Sequence, residues 1–130
     1  MQETLAAIKK AIKGAKTALV VSHIDPDGDS IGSMLAMGMI LANLGLTSDF
    51  YSEDGIPKVY RFLPGADKVK TELGVGRHYD LLFAMDASDI KRLGEKISPK
   101  EVSKIIINID HHPDNTHYGV VRMMINVNDN

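Results

Sequence analysis

Three places in this 130-residue chain put aspartates or histidines where an apolar run stops. Residues 17–21 lead into Ser22-His23-Ile24-Asp25-Pro26-Asp27-Gly28-Asp29-Ser30. Residues 80–85 end at Asp86, and residues 104–109 end at Asp110-His111-His112. In an open parallel α/β sheet such strand ends lie side by side and form the usual ligand site. The donors gathered this way are His23, Asp27, Asp29, Asp86, His111 and His112. Mixed imidazole and carboxylate donors suit Mn²⁺, Fe²⁺, Co²⁺ or Zn²⁺. Six donors are too many for one ion and suit two. Paired metals are a recurring device of phosphoester hydrolysis, where they activate water and neutralise developing charge together.

Each piece also has a plainer reading. Pro26-Asp27-Gly28 is a strong turn sequence, Asp86 could cap a helix, and adjacent histidines often decorate a loop. A calcium loop is ruled out: counted from Asp25, Ser30 stands where the sharp-turn glycine belongs and Ala36 where the bidentate glutamate belongs. The turn reading leaves two things over, His23 before it and Ile31-Gly32-Ser33 opening a helix after it. Crowded carboxylates also repel, by roughly 3 kcal/mol for a pair about 6 Å apart at an effective dielectric near 20. A divalent cation reverses that cost.

The elements that must position these residues follow from periodicity. Leu5, Ile8 and Ile12 mark an amphipathic helix over residues 2–15, stopped by Gly14. Strands are predicted over 17–24, 48–52, 79–85, 104–109 and 118–127. A helix over 31–44 is apolar nearly all round, hence well buried, with Gly45 ending it and Gly32, Ala36 and Gly38 allowing close approach to the sheet. Short helical pieces are expected at 57–62 and 66–72 and a helical turn at 89–93. Ser98-Pro99-Lys100-Glu101 reads as an N-cap and first turn. This alternation predicts an α/β fold: an open, mainly parallel sheet with helices on both faces, Rossmann-like and three-layered. The apolar stretch 120–127 has nothing after it to cover it. That predicts a C-terminally truncated piece of a longer protein.

Composition sets outer bounds. The chain is 44% hydrophobic and 25% charged, with net charge −2. This is an ordinary globular balance and argues against a general polyanion-binding surface. No cysteine is present, so disulfides and thiolate zinc sites are excluded. The lysine-dotted N-terminus lacks a signal-peptide core, and the longest greasy stretch, 34–46, falls short of the ~20 residues of a membrane span. These features predict a cytoplasmic protein with no membrane partner.

Taken together, the motifs resemble the DHH phosphoesterase family. Asp110-His111-His112 matches the triplet that names it, residues 23–33 (HIDPDGDSIGS) match its first motif, and Met85-Asp86 its second. Residues 61–66 (RFLPGA) and 108–115 (NIDHHPDN) resemble the bacterial branch of nano-RNase/pAp phosphatases, related to RecJ. The resemblance implies a two-metal hydrolase using Mn²⁺, with Mg²⁺, Co²⁺, Fe²⁺ or Zn²⁺ as alternatives. It implies that His23 and Asp27 hold one metal, Asp29 and His111 the other, and Asp86 both. It makes His112 and Ser33 substrate contacts and Asp110 the residue orienting an imidazole, with Asp86, Asp110 and His112 as the catalytic set. Asp25 stays outside. Substrates would be short oligoribonucleotides and pAp. Cyclic dinucleotides, single-stranded DNA, pyro- or polyphosphate, a non-catalytic module and a self-associating homodimer are the alternatives. Family members continue with a further metal-binding aspartate and a separate basic substrate domain. Asp114 and Asp129 do not fit that later motif, so residues 1–130 are expected to be the N-terminal portion of the domain, weakly active or inactive alone.

Overall fold

The computed structural model describes residues 2–119 and 121–124. Among these residues six strands form one sheet: β1 Thr17–Ser22, β2 Thr47–Tyr51, β3 Val69–Lys70, β4 Leu81–Met85, β5 Ile106–Asp110 and β6 Val121–Met124. Their order is β3-β2-β1-β4-β5-β6, and all neighbours run parallel. The predicted parallel α/β architecture is therefore observed.

Both faces of the sheet are covered, which is why its strands read as unbroken apolar runs. Ala18, Val20, Leu81, Phe83, Met85 and Ile107 point to one face, under α1 Gln2–Lys13 and α2 Gly28–Asn43. Leu19, Val21, Tyr51, Leu82, Ala84 and Ile106 point to the other. That face is closed by a 3-10 turn, Ile90–Leu93, and the single-turn helix α3 Pro99–Val102. The long helices thus lie on one side and short turns on the other. Among the described residues no helix is long and apolar enough to cross a membrane.

The order creates a switch point. From β1 the chain builds outward through β2 and β3, then returns to lay β4 against the other side of β1. Connections leave β1 and β4 in opposite directions, and the crevice between their C-terminal ends is where such sheets bind ligands. Register makes this sharper. Ser22 pairs with Met85, and Met85 with Ile109. The next residue on each strand is His23, Asp86 and Asp110, so three donors stand in a row.

Several expectations are corrected. Helix α2 begins at Gly28, a turn before residue 31, because Asp27 caps it and closes a reciprocal capping box with Ser30. Nor is α2 buried all round: Met39, Ile40 and Leu44 are exposed, and the buried stripe is Ile31, Met34, Leu35, Gly38 and Leu41. Of the three small residues, Gly38 alone makes the close approach, since a Cβ there would come within 2.1 Å of the Phe50 ring. Gly32 faces open space and Ala36 is exposed. Gly45 does end the helix, at φ +90. The pieces at 57–62 and 66–72 shrink to 3-10 turns, Lys58–Tyr60 and Ala66–Lys68, and residues 69–70 are instead the edge strand β3. Two residues carry no period, so no pattern could have announced that strand. Ser98 starts α3 without a side-chain cap bond. Of the expected strand at 118–127, β6 accounts for Val121–Met124. Residues 125–127 lie outside the described ones.

Candidate metal centre

His23 follows β1 and is 5% exposed. Its Nδ1 lies 2.5 Å from the Ile24 carbonyl oxygen. A carbonyl can only accept, so Nδ1 carries a proton, and in the neutral ring the lone pair that a metal ligand requires lies on Nε2. That Nε2 stands 3.9 Å from Asp27 Oδ1 and 3.7 Å from Asp86 Oδ2. Both gaps are too wide for hydrogen bonds. Asp27 is held by its capping role, with Oδ1 accepting from the Ser30 amide at 2.8 Å. This amide holds its carboxyl below the ordinary value against burial, helped by His23.

Asp29, in the first turn of α2, puts Oδ2 3.2 Å from His111 Nε2. Ser33, one turn on, lies 3.4 Å from its other oxygen and lines the same cleft of about 230 Å³ with Asp86 and His111. Asp86 occupies the centre. Its backbone sits at φ 59, a left-handed conformation unusual for a residue with a side chain and typical of functional sites. Its amide bonds the Ile109 carbonyl at 2.8 Å. Burial pushes its carboxyl above the ordinary value, and the charge of Asp29 adds to that.

Two sets of donors converge here: His23, Asp27 and Asp86, and Asp86, Asp110, His111 and His112. Asp86 belongs to both. Among the described residues its buried Oδ1 makes no hydrogen bond, and the nitrogen beside it is His111 Nε2, 2.7 Å away. A buried carboxylate oxygen without a donor is costly, and a cation would complete it. The donors present therefore fit a divalent metal on either side of Asp86.

Asp110 is different. One oxygen binds His112 Nδ1 and the other accepts from Asn115 Nδ2 at 2.7 Å. Burial opposes its ionisation, but these bonds prevail and hold its carboxyl below the ordinary value. The same bond raises the His112 imidazole above its ordinary value. With Nδ1 occupied, Nε2 of His112 is the free nitrogen. Asp25, at φ 50, is exposed and tied through its amide to Asp54, apart from both donor sets.

Asn108 and Asn115 were missed as individual residues. Asn108 donates to the Ala84 and Ala87 carbonyls, both at 3.1 Å, and accepts from Asn115 at 2.7 Å. A signal existed: an asparagine inside an apolar strand run must find partners in the core. Tyr118 Oη also donates to Ala87, at 3.0 Å, and its burial raises the phenol well above the ordinary value.

The model of the DHH family, N-terminal domain, matches residues 17–130. The chain belongs to the DHH family. Among curated proteins it is similar to the bifunctional oligoribonuclease and PAP phosphatase NrnA of Thermus thermophilus, at 30% identity over 115 residues. That match covers 88% of this chain and 33% of the relative, so this DHH chain spans a third of that protein's length. Among solved structures it is similar to an exopolyphosphatase-related protein from Bacteroides fragilis, with TM-score 0.81 and 21% identity over 95% of this chain and 39% of the other. The latter likeness bears on the fold.

Proposed function

We propose that this DHH chain carries the two-metal centre of a phosphoesterase that hydrolyses short oligoribonucleotides and pAp in the cytoplasm. The observation that carries the reading is Asp86: one buried carboxylate, at the switch point, shared by two donor sets. The name of the Thermus relative, an oligoribonuclease and PAP phosphatase, supports the substrate class.

In this proposal His23 and Asp27 would hold one ion, Asp29 and His111 the other, and Asp86 would serve both. Mn²⁺ is the preferred ion, with Mg²⁺, Co²⁺, Fe²⁺ or Zn²⁺ as alternatives. When bound, such ions lower the pKa of a water and polarise a phosphoryl oxygen. The chain's own residues supply the rest. His112, with Nδ1 held by Asp110, presents Nε2 to a phosphoryl oxygen, and its raised proton affinity favours the cationic form that such an oxygen binds best. Ser33 offers a hydroxyl on the cleft wall.

Mn²⁺ calorimetry on the chain and on Asp86→Ala tests the centre. Two ions in the first and none in the second are expected. An assay of the full-length protein on a three-nucleotide RNA, pAp, cyclic di-AMP and pyrophosphate tests the substrate, with turnover expected on the first two. Turnover of pyrophosphate alone would overturn the nucleotide reading.

A further inference from the structure

Two buried carboxamides beside the centre have no part in the function proposed above. Every N–H they carry is nevertheless committed. Asn108 spends its two on the Ala84 and Ala87 carbonyls. Asn115, 7% exposed, spends its two on Asn108 Oδ1 and Asp110 Oδ2, each at 2.7 Å, and its oxygen accepts from the His117 amide at 2.7 Å. The orientation of Asn115 is thereby fixed. Turned over, it would set its own oxygen against a carboxylate and a carbonyl.

The two arms of this cluster end at different functional parts. Ala84 and Ala87 flank Met85-Asp86, so Asn108 pins both sides of the turn that holds Asp86 at φ 59. On the other arm, Asn115 holds one oxygen of Asp110 and leaves the second for His112 Nδ1. A carboxylate gripped at one oxygen cannot rotate, and its other oxygen stays on the ring. The loop itself is tied to the exit of β4 by the Thr116 amide, 2.8 Å from the Ser88 carbonyl.

We propose that Asn115 is a positioning residue, one clamp that sets the turn carrying Asp86 and the ring of His112 together. The proposal rests on reading Asp86 as the shared metal ligand and His112 Nε2 as the substrate-facing nitrogen. It adds that neither holds its geometry unaided. Partners one step behind metal ligands commonly matter by 10–100-fold in affinity.

The decisive experiment is imidazole ¹⁵N–¹H correlation spectroscopy on the metal-free chain, at a pH where the rings are neutral. In the wild type, His112 is expected as the Nδ1–H tautomer. In Asn115→Ala, its Nδ1–H to Nε2–H ratio falls at least fivefold. His23, whose Nδ1 proton goes to the Ile24 carbonyl, keeps its tautomer and reports that the fold is intact. A folded Asn115→Ala protein with His112 unchanged would overturn the proposal, because a purely structural asparagine would lower stability and leave the ring alone. Should the variant not fold, the wild type still decides. Both Asn115 side-chain amide protons should exchange at least a hundredfold more slowly than a free carboxamide, and rapid exchange refutes the clamp. Mn²⁺ titration reads the Asp86 arm: binding weakens by about 10–100-fold in Asn115→Ala, and unchanged affinity refutes that arm. If the wild type takes up no Mn²⁺, the metal reading fails, while the tautomer result still judges the clamp.

Discussion

At the residue scale, Asp86 concentrates the conflict between stability and function. It is buried, left-handed and close to other carboxylates, and its Oδ1 has no donor among the described residues. Sites shaped for a ligand often store strain of this kind. Asn keeps the shape, tolerates the left-handed region and removes the charge. Asp86→Asn should therefore stabilise the metal-free protein at pH 7, by about 1 kcal/mol, the usual size of a single-substitution effect, while abolishing Mn²⁺ uptake. Urea denaturation with and without Mn²⁺ measures both. A variant less stable than wild type without metal would show that Asp86 is held by bonds rather than against repulsion. His23 gives the complementary case. Its Nδ1 bond to Ile24 presets Nε2, and Gln, which cannot offer that lone pair, should lose one of the two ions in calorimetry and retain the fold.

At the scale of elements, two contacts explain why α2 and the β2 edge lie where they do. Gly38 lets α2 settle onto Phe50 of β2. Alanine is the better helix former by about 1 kcal/mol, but the overlap with the ring demands a displacement costing about 1–3 kcal/mol. Gly38→Ala should thus lower stability by about 1 kcal/mol, and Phe50→Leu in the same chain should recover part of it. On the other flank, Asp49 of β2 accepts from Arg77 and Tyr79, at 2.5 and 2.6 Å, with Lys70 of β3 at 3.4 Å. Burial opposes its ionisation, yet these partners hold its carboxyl below the ordinary value. A depressed folded-state pKa means stability that is full above the unfolded value, about 3.9, and lost as pH falls through the folded one. Asp49→Asn should cost about 1 kcal/mol at pH 7. Its deficit against wild type should shrink once pH falls below the unfolded value and vanish only below the depressed folded one. A deficit constant with pH would assign the effect to packing.

At the scale of the whole molecule, the sheet was legible because both faces are buried, which turned β1, β4 and β5 into unbroken apolar runs with polar ends. The row His23, Asp86 and Asp110 then followed from parallel order alone, and the registers supply it. What stayed hidden depends on tertiary contact. The edge strand β3 exists through two pairings with β2, and the exposed face of α2 carries Met39 and Ile40, as apolar as the residues it buries. The Asn108–Asn115 bridge joins residues seven positions apart, and no spacing rule marks it. The same topology has a global consequence. Donors come from the exits of β1, β4 and β5 and from the first turn of α2, so an ion there ties together elements that otherwise meet only through the sheet. Binding to the folded state alone adds about 2.7 kcal/mol at a hundredfold excess over Kd. Each kcal/mol is worth several degrees in a domain of this size. Saturating Mn²⁺ should raise Tm by roughly 8–15 °C, EDTA should reverse the rise, and Asp86→Asn should not respond. Calorimetric scans of the two proteins decide it. An equal shift in both would assign the stabilisation to weak surface binding and take the shared-carboxylate centre out of the account.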